Sequence, residues 1–203
     1  MSQNTLLHGL VRPAVRAVAA HTGLTPNHLT TLRLTTGLAA AMIFARGTYG
    51  WVSTIGGLIF LLSMLLDRAD GELARHTNQM SVAGHRYDLV SDCIVGICTF
   101  IGIGIGVAHT AGPNTIWLGA LAGLGIGVLF LEFNLMNVAS VRGYDLFGGR
   151  IGVDPDDAMI LVPVLVWCDL AAPMLIAAAV VAPLAALGIG AIGFLRRSVR
   201  CSR

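Results

Sequence analysis

The chain has 203 residues, of which 55% are hydrophobic and only 12% charged, with a mean hydropathy of +0.77, whereas an ordinary soluble domain carries about 25% charge. That balance excludes a water-soluble globule, and at ~20 apolar residues per crossing the length allows roughly six transmembrane helices and no separate soluble domain. A formal charge of +2, on thirteen basic residues that are all arginine, is too small for a nucleic-acid partner.

Residues 1–25 interleave Leu and Val with Arg12, Arg16 and histidines, and they lack the continuous apolar core of a cleavable signal peptide. They are expected to form an amphipathic helix lying on the membrane surface. No lipidation motif precedes it, and Cys201-Ser202-Arg203 is not a prenylation box. The rest reads as an all-α integral membrane protein: residues 26–197 form a six-helix transmembrane bundle, and 1–203 make one membrane domain. Hydropathy places the helices at 28–45, 51–76, 82–108, 114–141, 155–168 and 173–195. The fifth is the shortest. Asp154, Asp156 and Asp157 favour its start, and Asp169 followed by Ala171-Ala172-Pro173 favours a stop and a tight turn. Placing both termini in the cytoplasm puts Arg12, Arg16, Arg86, Arg142, Arg150, Arg196, Arg197, Arg200 and Arg203 in or beside cytoplasmic segments. Only Arg46 falls on the other side, so the positive-inside rule selects this orientation, that of a multi-pass bacterial-type inner-membrane protein.

Cys93, Cys98, Cys168 and Cys201 form no pair with metal-ligand spacing and read as packing residues. Gly188-Ile-Gly190-Ala-Ile-Gly193 matches a dinucleotide-binding pattern in letters alone, because no strand precedes it and it lies inside an apolar helix. Gly102 and Gly106, then Gly119, Gly123 and Gly127, recur every four residues on single helical faces. Such faces let transmembrane backbones approach closely, either inside the fold or at a dimer contact.

The informative stretch is DRADGELARHTNQMSVAGHRYDLVSD, residues 67–92. Asp67, Asp70, Gly71, Ala74 and Arg75 sit at i, i+3, i+4, i+7 and i+8, on one helical face. Gly84, Asp88 and Asp92 sit at i, i+4 and i+8 on the next helix. Antiparallel helices joined so tightly are neighbours, so four carboxylates can converge near the cytoplasmic end of the bundle. Four ionised carboxylates in a partly desolvated space need cations or protons, and hard divalent ions, Mg²⁺ or Mn²⁺, suit their oxygen ligands. Two such ions can grip a pyrophosphate and stabilise both oxygens of an in-line displacement. Gly71, Ala74 and Gly84 leave a slot between the helices, and the planar fork of Arg75 can hold a phosphate or carboxylate. The competing readings are an ion or proton pathway in a transporter or ion-coupled carrier, and a catalytically silent membrane scaffold. Solvated faces or caps account for Glu72 and for Asp67, but fit poorly at Asp88 and Asp92.

Written as Asp67-x2-Asp70-Gly71-x2-Ala74-Arg75-x8-Gly84-x3-Asp88-x3-Asp92, the stretch resembles the complete signature of the CDP-alcohol phosphotransferase (CDP-alcohol phosphatidyltransferase) family, with all eight positions matched. The resemblance implies transfer of a phosphoalcohol group from a CDP-linked donor to an acceptor hydroxyl, with release of CMP, in phospholipid biosynthesis. The donor is then CDP-diacylglycerol or a soluble CDP-alcohol. By similarity, Asp67, Asp70 and Asp88 are metal ligands, and Asp92 both faces the metals and serves as general base. Gly71, Ala74 and Gly84 admit the nucleotide beside Asp67, Asp70 and Asp88, and Arg75 contacts phosphate or holds the site together. A homodimer is implied as well.

Pro26-Asn27-His28-Leu29-Thr30 is similar to a segment that opens the first membrane helix in many members, which would bring Asn27 and Thr30 to the nucleotide or its phosphates. Arg33, one turn on in an apolar run, is costly unless paired or reaching that polar space. Arg142 and Arg150 are candidates for an acceptor phosphate or for lipid headgroups, beside Ser140. The Gly71-Glu72 pair looks more like the branch that takes inositol phosphate than those taking glycerol phosphate or serine. Glu132, Asn134 and Asn137 are expected to hydrogen-bond between helices, and His76 and His85 to be interfacial.

Overall fold

The structure, a computed structural model, describes the backbone of residue 15 and of residues 24–135, 144–146, 151–153 and 155–201, and the side chains of Val15, 24–134 and 158–191. Helix α1 (Pro26–Arg46) begins with proline in its first turn, after an extended Thr25 whose backbone N–H donates to His28 Nδ1 at 3.3 Å. Gly50, in the left-handed region at φ 61°, starts α2 (Gly50–His76). The α2 C-terminus is closed by Asn78 at φ 54°, with Gln79 N–H donating to the Ala74 carbonyl at 3.0 Å and Asn78 N–H to that of Arg75 at 3.4 Å. That is the Schellman arrangement, built on asparagine rather than glycine. Ser81 then caps α3 (Val82–Ala111) by accepting Gly84 N–H at 3.0 Å. Residues 77–81 thereby reverse the chain in one turn.

Helix α4 (Asn114–Leu135) follows Gly112, at φ 95°, and Pro113. A short antiparallel hairpin pairs β1 (Tyr144–Leu146) with β2 (Ile151–Val153), Tyr144 opposite Val153. These are two three-residue strands in a chain otherwise helical among the described residues, and the alternation of apolar residues with Asp145 and Gly152 suits such a pairing. A 3-10 helix (Pro155–Ile160) leads into α5 (Leu161–Trp167), and a turn through Asp169 at φ 58° leads into α6 (Ala171–Cys201). The turn expected after Asp169 is present, and α6 starts two residues before Pro173, the expected start, because proline is tolerated in a first turn.

Helix α1 packs on α2 and α3, α3 on α4, α4 on α6, and α5 on α2. Lipid gives apolar helices no reason to leave it, so close backbone approach does the work. A Cβ at Gly102 or Gly106 would collide with the carbonyl oxygens of Ala41 and Phe44, and one at Gly119 would sit 2.5 Å from that of Phe100. The glycine repeats therefore serve internal packing. Beside them lies a buried core that includes Phe44, Phe60, Ile103, Val107, Val166 and Leu175. The Trp167 indole lies over Gly57 and donates to the Ser53 carbonyl at 3.0 Å, which pins the far end of α5 to α2.

The expectation of six transmembrane helices is met in part. Among the described residues there are six α-helices of known extent, and four of them are long and apolar enough to cross a membrane: α2, α3, most of α4, and residues 171–191 of α6. Helix α1, at 21 residues, has the length, but Asn27, Thr30, Thr31, Arg33, Thr35 and Thr36 lower its hydropathy. Helix α5 is short, and the turn before it is 3-10. The surface helix expected over 1–25 lies outside the described residues except for its last two positions and helical Val15, which is buried against Leu73 of α2. Arg142, Arg150, Ser140 and Asn137 also lie outside them. The four apolar spans mark a membrane protein.

Candidate active site

Asp67 and Asp70 stand one turn apart on α2, and Asp88 and Asp92 one turn apart on α3. The tight reversal at 77–81 returns the chain toward α2, and α1, packed on both α2 and α3, ties the two helices together. One carboxylate oxygen from each of Asp67, Asp70 and Asp88 lies within 4.8 Å of the others. Asp70 is 5% exposed and accepts a hydrogen bond from Thr30 Oγ1 at 2.6 Å. Thr30 thus reaches a carboxylate of the cluster directly, across from α1.

Arg33 joins the helices at their centre. Its Nε lies 3.2 Å from Asp67 and its Nη1 3.4 Å from Asp88, and its Nη2 pairs with Asp92. Only 7% of the residue is exposed, and its own carbonyl accepts from Ser63 Oγ at 2.9 Å. Hydropathy marked Arg33 as a cation in need of a partner; that three carboxylates from two other helices meet on it is visible only in the fold. Arg68, buried beside Asp67 at 3.9 Å, is a second arginine that sequence reasoning left out. Nothing in a one-residue step after Asp67 signals that its side chain turns inward.

A cavity of about 470 Å³ opens over the triad, with Asn27, Thr30, Asp67, Asp70, Gly71, Ala74, Arg75, Gly84 and Asp88 in its wall. These are the residues expected to meet a nucleotide, and all of them face one space. The small residues have distinct reasons. A Cβ on Gly84 would lie 3.0 Å from the capping Ser81 hydroxyl and 3.3 Å from Asn27 Oδ1, so α1 and α3 meet there across bare backbone. Arg75 folds back over Gly71 and pairs with Glu72 at 2.8 Å. Glu72, which is not itself in the cavity wall, thereby braces an arginine that is. His85 and Met80 complete the rim.

Asp92 is set apart. It borders a second, smaller chamber of about 40 Å³ with Arg33, Ser63, Val95, Phe130 and Met159, and the two spaces share Asp67 and Arg68. Further along α4, Asn134 donates to the Phe130 carbonyl of its own helix at 3.0 Å, and Glu132 Oε2 is buried with no hydrogen-bond partner among the described residues. Among the described residues, then, the Asn134 bond stays within its own helix and Glu132 Oε2 makes no interhelical bond. Cys93 is buried with its thiol toward the Gly127 carbonyl at 3.7 Å, as a packing residue.

The donor set fits a hard divalent cation: carboxylate oxygens from two facing helices, drawn within reach of one ion and open to a cavity. Helix-end acids dispersed toward the midplane would suit a conduction path better than this cluster does. No relative among the curated proteins compared matches the chain. Residues 23–155, which contain α1 to α4 and every acid of the cluster, match CDP-alcohol phosphatidyltransferase, so the chain belongs to that family of phosphotransferases of lipid synthesis.

Proposed function

We propose that this protein transfers a phosphoalcohol group from a CDP-linked donor to an acceptor hydroxyl, with Asp67, Asp70 and Asp88 as metal ligands and Asp92 as general base. The observation that carries the reading is the carboxylate triad at the wall of a nucleotide-sized cavity. When bound, Mg²⁺ or Mn²⁺ supplies charge neutralisation at the donor diphosphate. Five acids, Asp67, Asp70, Glu72, Asp88 and Asp92, face three arginines, Arg33, Arg68 and Arg75. The negative excess suits one divalent ion, and the charge of an incoming diphosphate suits a second.

The protein's own residues divide the work. Gly71, Ala74 and Gly84 leave the cytidine moiety room between α2 and α3, and Asn27 and Thr30 close the cavity from α1. Arg75, held by Glu72 in the cavity wall, contacts phosphate there. The acceptor hydroxyl approaches on the Asp92 side. Its oxygen bonds to the phosphorus that carries the alcohol, the bond from that phosphorus to the CMP oxygen breaks, and Asp92 takes the hydroxyl proton as charge develops. Arg142 and Arg150 belong to this proposal as acceptor or headgroup ligands, and inositol phosphate or glycerol phosphate as acceptors.

The membrane arrangement belongs to it too: six crossings, both termini and the site on the cytoplasmic face, a single domain over 1–203, and a homodimer. The reading is supported by all three tryptophans, which lie at the bundle end opposite the acids, Trp51 and Trp117 strongly exposed there and Trp167 bound to Ser53. Aromatic rings favour an interface, and that end carries Arg46 alone among the described arginines. The test is CMP release by purified protein from CDP-diacylglycerol and from soluble CDP-alcohols, with each acceptor, with and without Mg²⁺ or Mn²⁺. Metal-dependent CMP is expected from one pair; substrate movement across proteoliposomes without any CMP would instead establish a carrier.

A further inference from the structure

The four acids of the cluster fall in two helical pairs, Asp67 with Asp70 and Asp88 with Asp92, but the fold divides them three to one. Three converge on the larger cavity, and the fourth, Asp92, borders the smaller chamber. What stands between them is the guanidinium of Arg33. Its three nitrogens go to three different carboxylates: Nε to Asp67 on α2, Nη1 to Asp88 and Nη2 to Asp92 on α3.

The arginine is anchored at both ends. The Ser63 hydroxyl bonds its carbonyl at 2.9 Å from α2. One turn on, a Cβ at Gly37 would sit 2.6 Å from a Val95 methyl, so α1 lies directly against α3 where the side chain crosses to Asp88 and Asp92. A planar fork with fixed donor directions can hold three acceptors at set angles, which a single ammonium on a flexible stem cannot do. A charge buried among apolar helices with no partner would cost roughly 2.5–3.5 kcal/mol or more, and three carboxylates offset that here.

We infer that Arg33 is a positioning residue that holds the Asp92 carboxylate out of the metal-binding triad and aimed at the smaller chamber, where an acceptor hydroxyl meets it. This rests on the transfer reading above. It assigns the four acids two jobs: the triad Asp67, Asp70 and Asp88 takes cations, and Asp92 is kept for the proton by an arginine from a third helix. A purely structural ion-pair hub would stabilise the bundle and leave the division of labour indifferent to the shape of the cation.

Three measurements on the full-length detergent-solubilised protein test it. The first is a double-mutant cycle in thermal unfolding under chelator, with R33Q, D92N and the double variant. Each single change is expected to lower the midpoint, and the double to fall no further than R33Q alone; additive losses would overturn the pairing. The second is Mn²⁺ titration followed by electron paramagnetic resonance. R33Q is expected to bind Mn²⁺ as tightly as the parent or more tightly, since a positive charge has left the cluster. Lost Mn²⁺ binding would make Arg33 a builder of the triad and overturn the inference.

The third is CMP release at saturating metal. R33Q is expected to lose about 100-fold in kcat with the donor KM unchanged, the size of effect that a 1 Å misplacement brings. R33K, which keeps the charge and folds if R33Q does not, is expected to fail to restore it. Full turnover in R33K would overturn the positioning role. Absence of CMP from the parent with every donor would overturn the transfer reading and Arg33's part in turnover, while the unfolding cycle still reports separately on the Arg33–Asp92 pair.

Discussion

At the scale of single residues, the spacing of the acids already carries the chemistry, and the fold distributes it. Asp70 is the most enclosed of the triad and takes a 2.6 Å hydrogen bond from Thr30, whereas Asp92 borders a different space. The Asp92→Asn variant should therefore lose about 10²–10⁴-fold in turnover, the usual range for a removed base, while Mn²⁺-dependent CMP binding, read by calorimetry, stays near the parent's. Asp70→Asn should weaken both turnover and binding; a variant of either kind with parental activity would contradict its role. Thr30→Val removes a bond to a charged acceptor, worth about 1.5–3 kcal/mol, and should weaken Mn²⁺ binding without abolishing turnover. Thr30 was legible as a residue near the site because of its segment. Its partner was not, since a bond across forty residues of chain depends on how α1 leans on α2.

At the scale of elements, two local devices fix the site. The Asn78 closure of α2 and the Ser81 cap of α3 set the short reversal between the two helices that carry the acid pairs. The glycines of α3 let α1 approach until side chains from it reach both other helices. Gly106→Leu would drive a side chain into the Phe44 carbonyl. Overpacking of this kind costs about 1–3 kcal/mol, so the unfolding midpoint in detergent should drop by roughly 3–10 °C in a domain of this size. The glycine periodicity was readable in the sequence, but not which neighbour it served, because a small face fits an internal helix and a second copy equally well. The fifth helix shows the opposite case: its short apolar run was seen, but the 3-10 start and the seat of Trp167 on Gly57 depend on contacts with α2.

For the whole molecule, orientation and metal dependence are the testable properties. Cys168 is exposed in the turn between α5 and α6, at the end of the bundle where Trp167 meets Ser53. With Cys168 as the sole cysteine, a membrane-impermeant maleimide should label intact spheroplasts from outside. Labelling restricted to inverted vesicles would reverse the proposed topology. Chelation of divalent ions should abolish CMP release, and Mg²⁺ or Mn²⁺ should restore it; turnover that survives chelation would remove the triad from the reaction.

Apolarity, arginine placement and the eight motif positions lie along the chain itself, so the medium, the helical class and the family-type chemistry follow from local composition and from fixed intervals on a helix. Interhelical relations do not lie along it. Which backbone a glycine admits, and which of the four acids face the donor cavity, are settled where helices touch. The clearest instance is Arg33. Its burial was foreseeable from the run around it, but its hold on Asp67, Asp88 and Asp92 exists only because α1 packs closely enough on α2 and α3 for one planar cation to reach both.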